Sequence, residues 1–523
     1  MTNNRSKRFC YFALPVLLLA ACVLQPSSAS AQMTSVGIDC GQIQALQLLK
    51  QDNMGAGRAL IECGIVQGGH PTTGKATSMP VPPNVRASNR ACTSASSCTK
   101  SESTVWASTK NPKQIVANFN DSAGDGSDYS GTAYSADGGV TFKEIQPPPF
   151  RQDHGSNFGD PIVVFNSKLN KFFAGDIVSG CGGFGLGLWS SPNGKTWTVG
   201  SCPHNGNSDD RESMWVDNEP TSGTYGRMYI SWNDFANNAA LSVVYSDDGN
   251  TWTGPVILNN GNFIRDVQIT GSPRGAARFE GSNSTVFVAG MDEGGGGLAT
   301  RQNLIYKSLD GGATWTTITM GPRFSAPGDG VCSSNSYFAE VNPIWRHMGW
   351  GQPAVGPKGV VHYVYAGHGT GNDTGDIFYT RSVNNGKTWS KAIKLNTDKD
   401  ASFKTQWMPS LSVDDDGEVT ASWYDRRAAT SACTNTTDPG CKYERVGRQS
   451  KNNGVNFLAE ITISSGIIPQ PAQDDPFVQT CYAGDYDYST ALGGSAYVTW
   501  TDGRRAVGGI NVQDVEFAKV PLP

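Results

Sequence analysis

Short stretches of alternating apolar and polar residues run along most of this chain. "RMYISWND" at 227–234 and "VTASWYD" at 419–425 alternate with period two, the pattern of strands with one face buried. They belong to a unit that recurs from near residues 102, 159, 212, 268, 351, 407 and 484. Each unit opens with a short apolar strand, such as "STVWAST" at 103–109 or "DPIVVFN" at 160–166. A second strand ends in an aromatic, a third follows ("LSVVYS" at 241–246, "NLIYKS" at 303–308), and a fourth leaves through a turn. Four antiparallel strands per unit predict an all-β chain built as a β-propeller. Seven blades are expected, with six as the alternative, because the last unit shows only three strands. A strand from "VPPNVRAS" at 81–88 would complete it and close the ring. One stretch reads as helical, "CGQIQALQLLKQDNMGAGRALIEC" at 40–63. Ile43, Leu46, Leu48, Leu49, Leu60 and Ile61 would line one side, with "NMGAG" as a break, giving a small helical hairpin.

The turn between the third and fourth strands repeats six times. "SADGGVTF" starts at Ser135, "SPNGKTW" at Ser191, "SDDGNTW" at Ser246, "SLDGGATW" at Ser308, "SVNNGKTW" at Ser382 and "SKNNGVNF" at Ser450. The closing aromatics, Phe142, Trp197, Trp252, Trp315, Trp389 and Phe457, are spaced by 55, 55, 63, 74 and 68 residues. A local motif at a long regular period marks a repeat architecture. Its third residue is Asp137, Asp248 or Asp310 in three copies and Asn193, Asn384 or Asn452 in the others. An amide replaces a carboxylate as a hydrogen-bond acceptor in a turn, but not as a catalytic acid, so the motif reads as structural.

The termini and cysteines set the compartment. Arg5, Lys7 and Arg8 precede the apolar run "FCYFALPVLLLAACVL" and an Ala29-Ser30-Ala31 cleavage site, the layout of a secretory signal peptide. "LAAC" ending at Cys22 also fits a bacterial lipoprotein box, so a secreted or periplasmic protein is expected, with lipid anchoring through Cys22 as the alternative. No other run is long enough to span a membrane. The organisation expected is a leader at 1–31, a disulfide-tied hairpin at 32–70, a linker at 71–100 and the propeller at 101–523. Ten cysteines follow the leader, an even number that suggests disulfides in an exported chain. Proximity pairs Cys40 with Cys63, Cys92 with Cys98, Cys181 with Cys202 and Cys433 with Cys441, leaving Cys332 with Cys481. Removing the leader moves the formal net charge from −5 to −8, which argues against nucleic acid as a partner.

The six turns resemble those of the Asp-box, or BNR-repeat, β-propellers, whose best-known members are the sialidases. The resemblance covers residues 101–523. It implies a sialidase-like propeller, and in sialidases three arginines clamp a sugar carboxylate, a Tyr–Glu pair supplies nucleophile and base, and an Asp is the acid. The turns fix one face of the disc, so loops between blades and after second strands share the opposite, top face. That face is expected to carry Asp160, Glu212 and Tyr486 as catalytic candidates. Arg211, Arg426, Arg504, Asp425 and Asp502 are candidates for substrate binding. The plain alternative is that the strand-end acids cap their blades and the arginines pair with them. The family's Phe/Tyr-Arg-Ile-Pro motif is absent; "PFRQD" at 149–153 shares only Phe-Arg. Fold alone does not fix activity, so two functions follow: a monomeric propeller that recognises a glycan or cell-surface protein, or a glycoside hydrolase of exo-sialidase type acting on terminal anionic sugars. No cofactor is required, although a ring of strand-end carboxylates would suit Ca²⁺.

Overall fold

The computed structural model describes residues 32–523 except 73–83, 124–127, 146–153, 273–280, 343–344, 370–371, 400–402 and 434–439. The leader, Cys22 and the Phe-Arg of "PFRQD" lie outside the described residues.

Seven antiparallel sheets follow one another in chain order, each with four strand positions, and their innermost strands touch around a common axis. Blade three shows the plan: Asp209–Val216 innermost, then Met228–Asp234, Ala240–Ser246 and Thr253–Asn259 outermost. Blade seven is assembled from both ends of the chain. Thr490–Ala491, Ser495–Asp502 and Asp514–Pro521 are joined at the outer edge by Val85–Arg86, with Val85 opposite Phe517. Asp487–Tyr488 also pairs in parallel with Ser103 and Thr104 of blade one. The first and last blades are thereby held by backbone hydrogen bonds as well as packing, and the ring leaves no open sheet edge there.

The six repeated turns all join third to fourth strands and share one hydrogen-bond pattern. In each, the Ser hydroxyl donates to Oδ1 of the Asp or Asn two residues on, from 2.7 Å at Ser135–Asp137 to 3.3 Å at Ser191–Asn193. That Oδ1 accepts a backbone N–H from the far side of the turn, at 2.9 Å from Thr196 and 2.9 Å from Thr388. Asn and Asp are interchangeable here because only an acceptor is needed. The turn glycine has a second task. Gly194 adopts φ +73°, and a Cβ there would lie 2.4 Å from Val116 of blade one; at Gly139 it would lie 2.5 Å from Phe517 of blade seven. Each turn therefore seats against the preceding blade, and the local motif locks neighbouring blades together.

The innermost strands start with an irregularity that matters for the site. The register slips between Ser101 and Thr104, Asp210 and Ser213, and Trp407 and Ser410. Glu102, Arg211 and Met408 sit in these slips with φ of 50°, 55° and 49°, and Asp160 and Asp266 hold left-handed φ of 60° and 66°. A bulge re-aims a side chain that the regular pleat would point elsewhere, and left-handed non-glycine residues mark functional or strained positions.

The N-terminal module differs from the expected hairpin. It contains one α-helix, Met54–Glu62, preceded by two short 3-10 turns, Cys40–Gln42 and Leu48–Lys50. "NMGAG" starts the helix instead of breaking one. Asn53 caps it by accepting the Ala56 N–H at 2.7 Å, and Gly55 is required by close approach, since a Cβ there would lie 2.7 Å from Phe158. Five disulfides, Cys40–Cys63, Cys92–Cys98, Cys181–Cys202, Cys332–Cys481 and Cys433–Cys441, tie loops and module. Cys332–Cys481 links the long insertion after blade four, with its small sheet of Gly330–Val331, Ala339–Asn342 and Trp345–Arg346, to the loop before blade seven. No helix among the described residues is long and apolar enough to cross a membrane.

Gly194→Ala should destabilise the chain by about 1–3 kcal/mol, from the left-handed backbone plus overpacking against Val116. Gly466→Ala, at a position with open space around it, should stay within about 0.5 kcal/mol of wild type. Equal denaturant midpoints for the two variants would remove the turn from its interlocking role.

Candidate functional site

The mouth of the channel on the top face is covered by the chain's own N-terminal module. Gln51 donates to Ser208 Oγ at 2.6 Å, Asn335 donates to the Leu49 carbonyl at 3.0 Å, and the module's Ala56, Ala59 and Leu60 join one apolar cluster with Phe158, Ile177 and Phe184 of blade two. This packing places Asp52 over the axis, fully buried.

Three guanidiniums meet there. Arg211, from the bulge of blade three, donates to Asp52 Oδ2 at 3.0 Å. Arg265, at the start of blade four, donates to Asp52 Oδ1 at 2.6 Å. Arg346, from the insertion after blade four, donates to the Asp52 carbonyl at 3.2 Å and to Asp485 at 2.6 Å. Asp210 accepts the backbone N–H groups of Asp52 and Asn53, each at 3.1 Å, and lies 2.8 Å from Arg265. Aromatic faces line the guanidiniums: Arg211 stands 3.8 Å from the Trp350 ring centre and 5.1 Å from that of Tyr486, and Arg346 stands 3.7 Å from that of Phe338. Burial pushes the Asp52 carboxyl up, but Arg265 and Arg211 outweigh it and hold it well below the ordinary range.

Beside the arginines lies a group of acids with unused hydrogen-bonding capacity. Asp160 Oδ2 accepts the Arg211 N–H at 2.8 Å. Asp160 Oδ1, both carboxyl oxygens of Glu212 and the Tyr486 hydroxyl are buried and have no hydrogen-bond partner among the described residues. The Tyr486 ring stacks on Tyr488 with centres 4.4 Å apart. Glu102 is anchored differently, accepting Asn120 Nδ2 at 2.5 Å and the Asp485 N–H at 2.8 Å. Burial, then the neighbouring acids, pushes the carboxyls of Glu102, Asp160 and Glu212 well up. The Tyr486 phenol is raised by burial and then by Glu102 and Asp160. Chemically, the site combines fixed positive charge for a carboxylate, carboxyls pushed toward the neutral form that donates, and a phenol without a partner among the described residues. Asp52, Asp160 and Asp210 each place a carboxylate oxygen within 4.8 Å of the others, a spacing that suits an oxygen-ligated cation such as Ca²⁺. Arg265 already supplies positive charge to two of them.

Asp160, Glu212, Tyr486 and Arg211 are thus brought together. Arg426, Arg504, Asp425 and Asp502 are not. Trp423 and Trp500 donate their indole N–H groups to Asp425 at 3.2 Å and Asp502 at 3.0 Å. Arg427 pairs with Asp425 at 2.5 Å and Arg504 with Asp502 at 2.6 Å. Arg426 reaches the Ser431 carbonyl at 3.4 Å. These acids cap their own strands, for the physical reason that a strand-end carboxylate accepts from the indole two residues before it. The sequence reading missed Arg265, Arg346 and Asp52. Arg265 carried a signal, because Arg265-Asp266 opens blade four as Asp210-Arg211 opens blade three. Arg346 and Asp52 reach the site from an insertion and from the N-terminal module, which no repeat pattern marks.

No protein-family model matches the chain, and no curated protein sequence matches it. Among solved structures, a protein of unknown function from Dyadobacter fermentans aligns at 15% identity over 85% of this chain and 100% of its own, with a TM-score of 0.40. An ulvan lyase aligns at 11% identity over 82% and 96%, with a TM-score of 0.45. The endosialidase of phage phi92 aligns at 10% identity over 86% and 69%, with a TM-score of 0.40. At these identities and scores the likeness assigns no function.

Asp266, which accepts from Tyr363 at 3.0 Å beside Arg211, provides a pH signature. Burial pushes its carboxyl up to about 6, against the pull of Arg211. Folding favours its protonated form, so its contribution is full below the unfolded carboxyl value of about 4 and is lost as pH rises through about 6. Asp266→Asn lacks this titration. Relative to wild type, the variant's stability should gain about 1–3 kcal/mol between pH 4 and pH 7.5, read by thermal denaturation. A stability gap independent of pH would contradict the assignment.

Proposed function

We propose that this is an exported, sialidase-like Asp-box propeller whose channel mouth recognises a carboxylate-bearing sugar. The observation that carries the reading is the convergence of Arg211, Arg265 and Arg346, from three separate parts of the chain, on one carboxylate-bearing residue. Planar guanidiniums fork onto carboxylates, and burial removes the water that would otherwise weaken them. Five disulfides support an oxidising compartment, and the signal-peptide reading of 1–31 agrees. An ulvan lyase and an endosialidase are among the similar structures, but the reading rests on the site.

A second reading, hydrolysis, is favoured by the Tyr486 hydroxyl, which has no hydrogen-bond partner among the described residues and stands in a group of raised carboxyls. Tyr486 would attack the anomeric carbon of an anionic sugar, where a phenol avoids the repulsion a carboxylate meets. Glu212, in its ionised form, would take the phenol proton, and Asp160, in its protonated form, would protonate the leaving oxygen.

Acidic and neutral glycans at millimolar concentration, with fluorogenic sialosides and uronides among them, separate these readings. Acidic glycans should bind preferentially, and Arg211→Ala should weaken them at least about tenfold, the loss of one charge-assisted contact. If hydrolysis occurs, Tyr486→Phe should lower turnover about 100-fold or more while binding persists. Neutral glycans bound equally well, with no effect of Arg211→Ala, would overturn the reading.

A further inference from the structure

We infer that Asp52 is an internal ligand: the chain's own carboxylate occupies the arginine site, and an external carboxylate enters only when residues 50–53 withdraw. The inference rests on the reading of that site as a carboxylate receptor.

The contacts of Asp52 are those of a bound ligand. Its two carboxylate oxygens go to two different guanidiniums, and a third guanidinium takes its carbonyl. The backbone N–H groups of Asp52 and Asn53 are collected by Asp210, and the Lys50 carbonyl by Arg265. None of residues 50–53 belongs to a blade. They run from the last residue of the 3-10 turn Leu48–Lys50 to the start of the helix Met54–Glu62, inside the module closed by Cys40–Cys63.

Asp52 meets the charge of the site but not its remaining hydrogen-bonding capacity. Arg211 Nε, Arg265 Nε, Asp160 Oδ1, both Glu212 oxygens and the Tyr486 hydroxyl stay without hydrogen-bond partners among the described residues, all buried. Such groups are costly to leave unmade. A ligand that brought hydroxyl groups along with its carboxylate would supply what the aspartate lacks, and a sugar acid does so.

The site is also shut. The space beside Asp52, bounded by Asn53, Met54, Gly57, Arg346, Gln479 and Tyr482, amounts to about 10 Å³, too small for a sugar and barely enough for one water. Two larger spaces exist, and none of the three arginines lines either: one of about 760 Å³ opens on the far side of Lys50, beside Phe263, Ile264 and Tyr337, and one of about 180 Å³ lies among the inner strands, with Trp106, Trp215, Gln268 and Tyr488 on its walls. A ligand reaching Arg211 and Arg265 must therefore displace residues 50–53, and its apparent affinity is lowered by the fraction of time they are withdrawn.

The test uses the full mature chain carrying Asp52→Ala, with sodium acetate as the probe and acetamide and sodium chloride as controls. The substitution leaves buried guanidiniums without their counter-charge, so the variant melts below wild type. Acetate should raise its melting temperature saturably, acetamide and chloride should not, and wild type should respond to none of them. If the alanine variant does not fold, Asp52→Ser, which also vacates the carboxylate's space but keeps a short polar group, is read in the same way. Glucuronic acid should then bind the variant at least tenfold more tightly than wild type. Acetate acting equally on both proteins, or on neither, overturns the inference. Glucuronic acid binding both equally well overturns the occlusion and leaves the carboxylate-sugar reading standing. Acetate rescue without glucuronic acid binding upholds the internal ligand and overturns the sugar reading.

Discussion

A guanidinium buried out of reach of water must find its counter-charge within the protein, and at the top of this channel three do so at once. Arg211, Arg265 and Arg346 are each about 1% exposed or less, so their ion pairs determine what can surround them. Breaking such a pair from one side leaves an uncompensated charge that costs several kcal/mol. Around them stand seven buried carboxyls, those of Asp52, Glu102, Asp160, Asp210, Glu212, Asp266 and Asp485. Three positive charges cannot balance seven negative ones, so several carboxyls hold protons. Asp52 takes the ionised role because two arginines face it, whereas Glu102, Asp160, Asp210 and Glu212 are pushed up. One electrostatic imbalance thus yields both a guanidinium cluster that holds one carboxylate ionised and a set of carboxyls pushed toward the neutral form.

The scaffold makes this arrangement rigid. The repeated turns set each blade against its predecessor on the lower face, and the strand Val85–Arg86 closes the ring. On the upper face, bulges at the starts of inner strands direct Glu102 and Arg211 to the axis. A site whose members come from different blades keeps its geometry only when the blades cannot slide, which is the contribution of the glycine contacts far below it. The Cys332–Cys481 link adds a second brace at the top, tying the insertion that carries Arg346 to the loop that carries Asp485.

The fold was legible because its code is local. Ser and the Asp or Asn two residues on carry the hydrogen bonds that all six turns share, and the alternation in "VTASWYD" states which face is buried. The site was half legible. Asp160, Glu212 and Tyr486 could be placed because each sits at a fixed position of a repeating blade. Arg504 and Arg426 misled, since side chains at strand ends look alike in sequence whether they cap a blade or face the axis. Arg346 and Asp52 were hidden for a deeper reason. Their positions depend on where an insertion and an N-terminal module dock, across 294 residues between the two, and no periodicity records such a contact. The helix was misjudged by the same kind of non-local cause: Gly55 looks like a breaker until Phe158 is seen pressing on it.

The most direct measurement is a crystal structure of the Asp52→Ala chain soaked with glucuronic acid. The account predicts the sugar carboxylate within hydrogen-bond distance of Arg211 and Arg265, with hydroxyl groups on Asp160 or Glu212. A vacant mouth with Arg211 and Arg265 turned onto Asp266 and Asp210, or the sugar bound elsewhere on the disc, would contradict it.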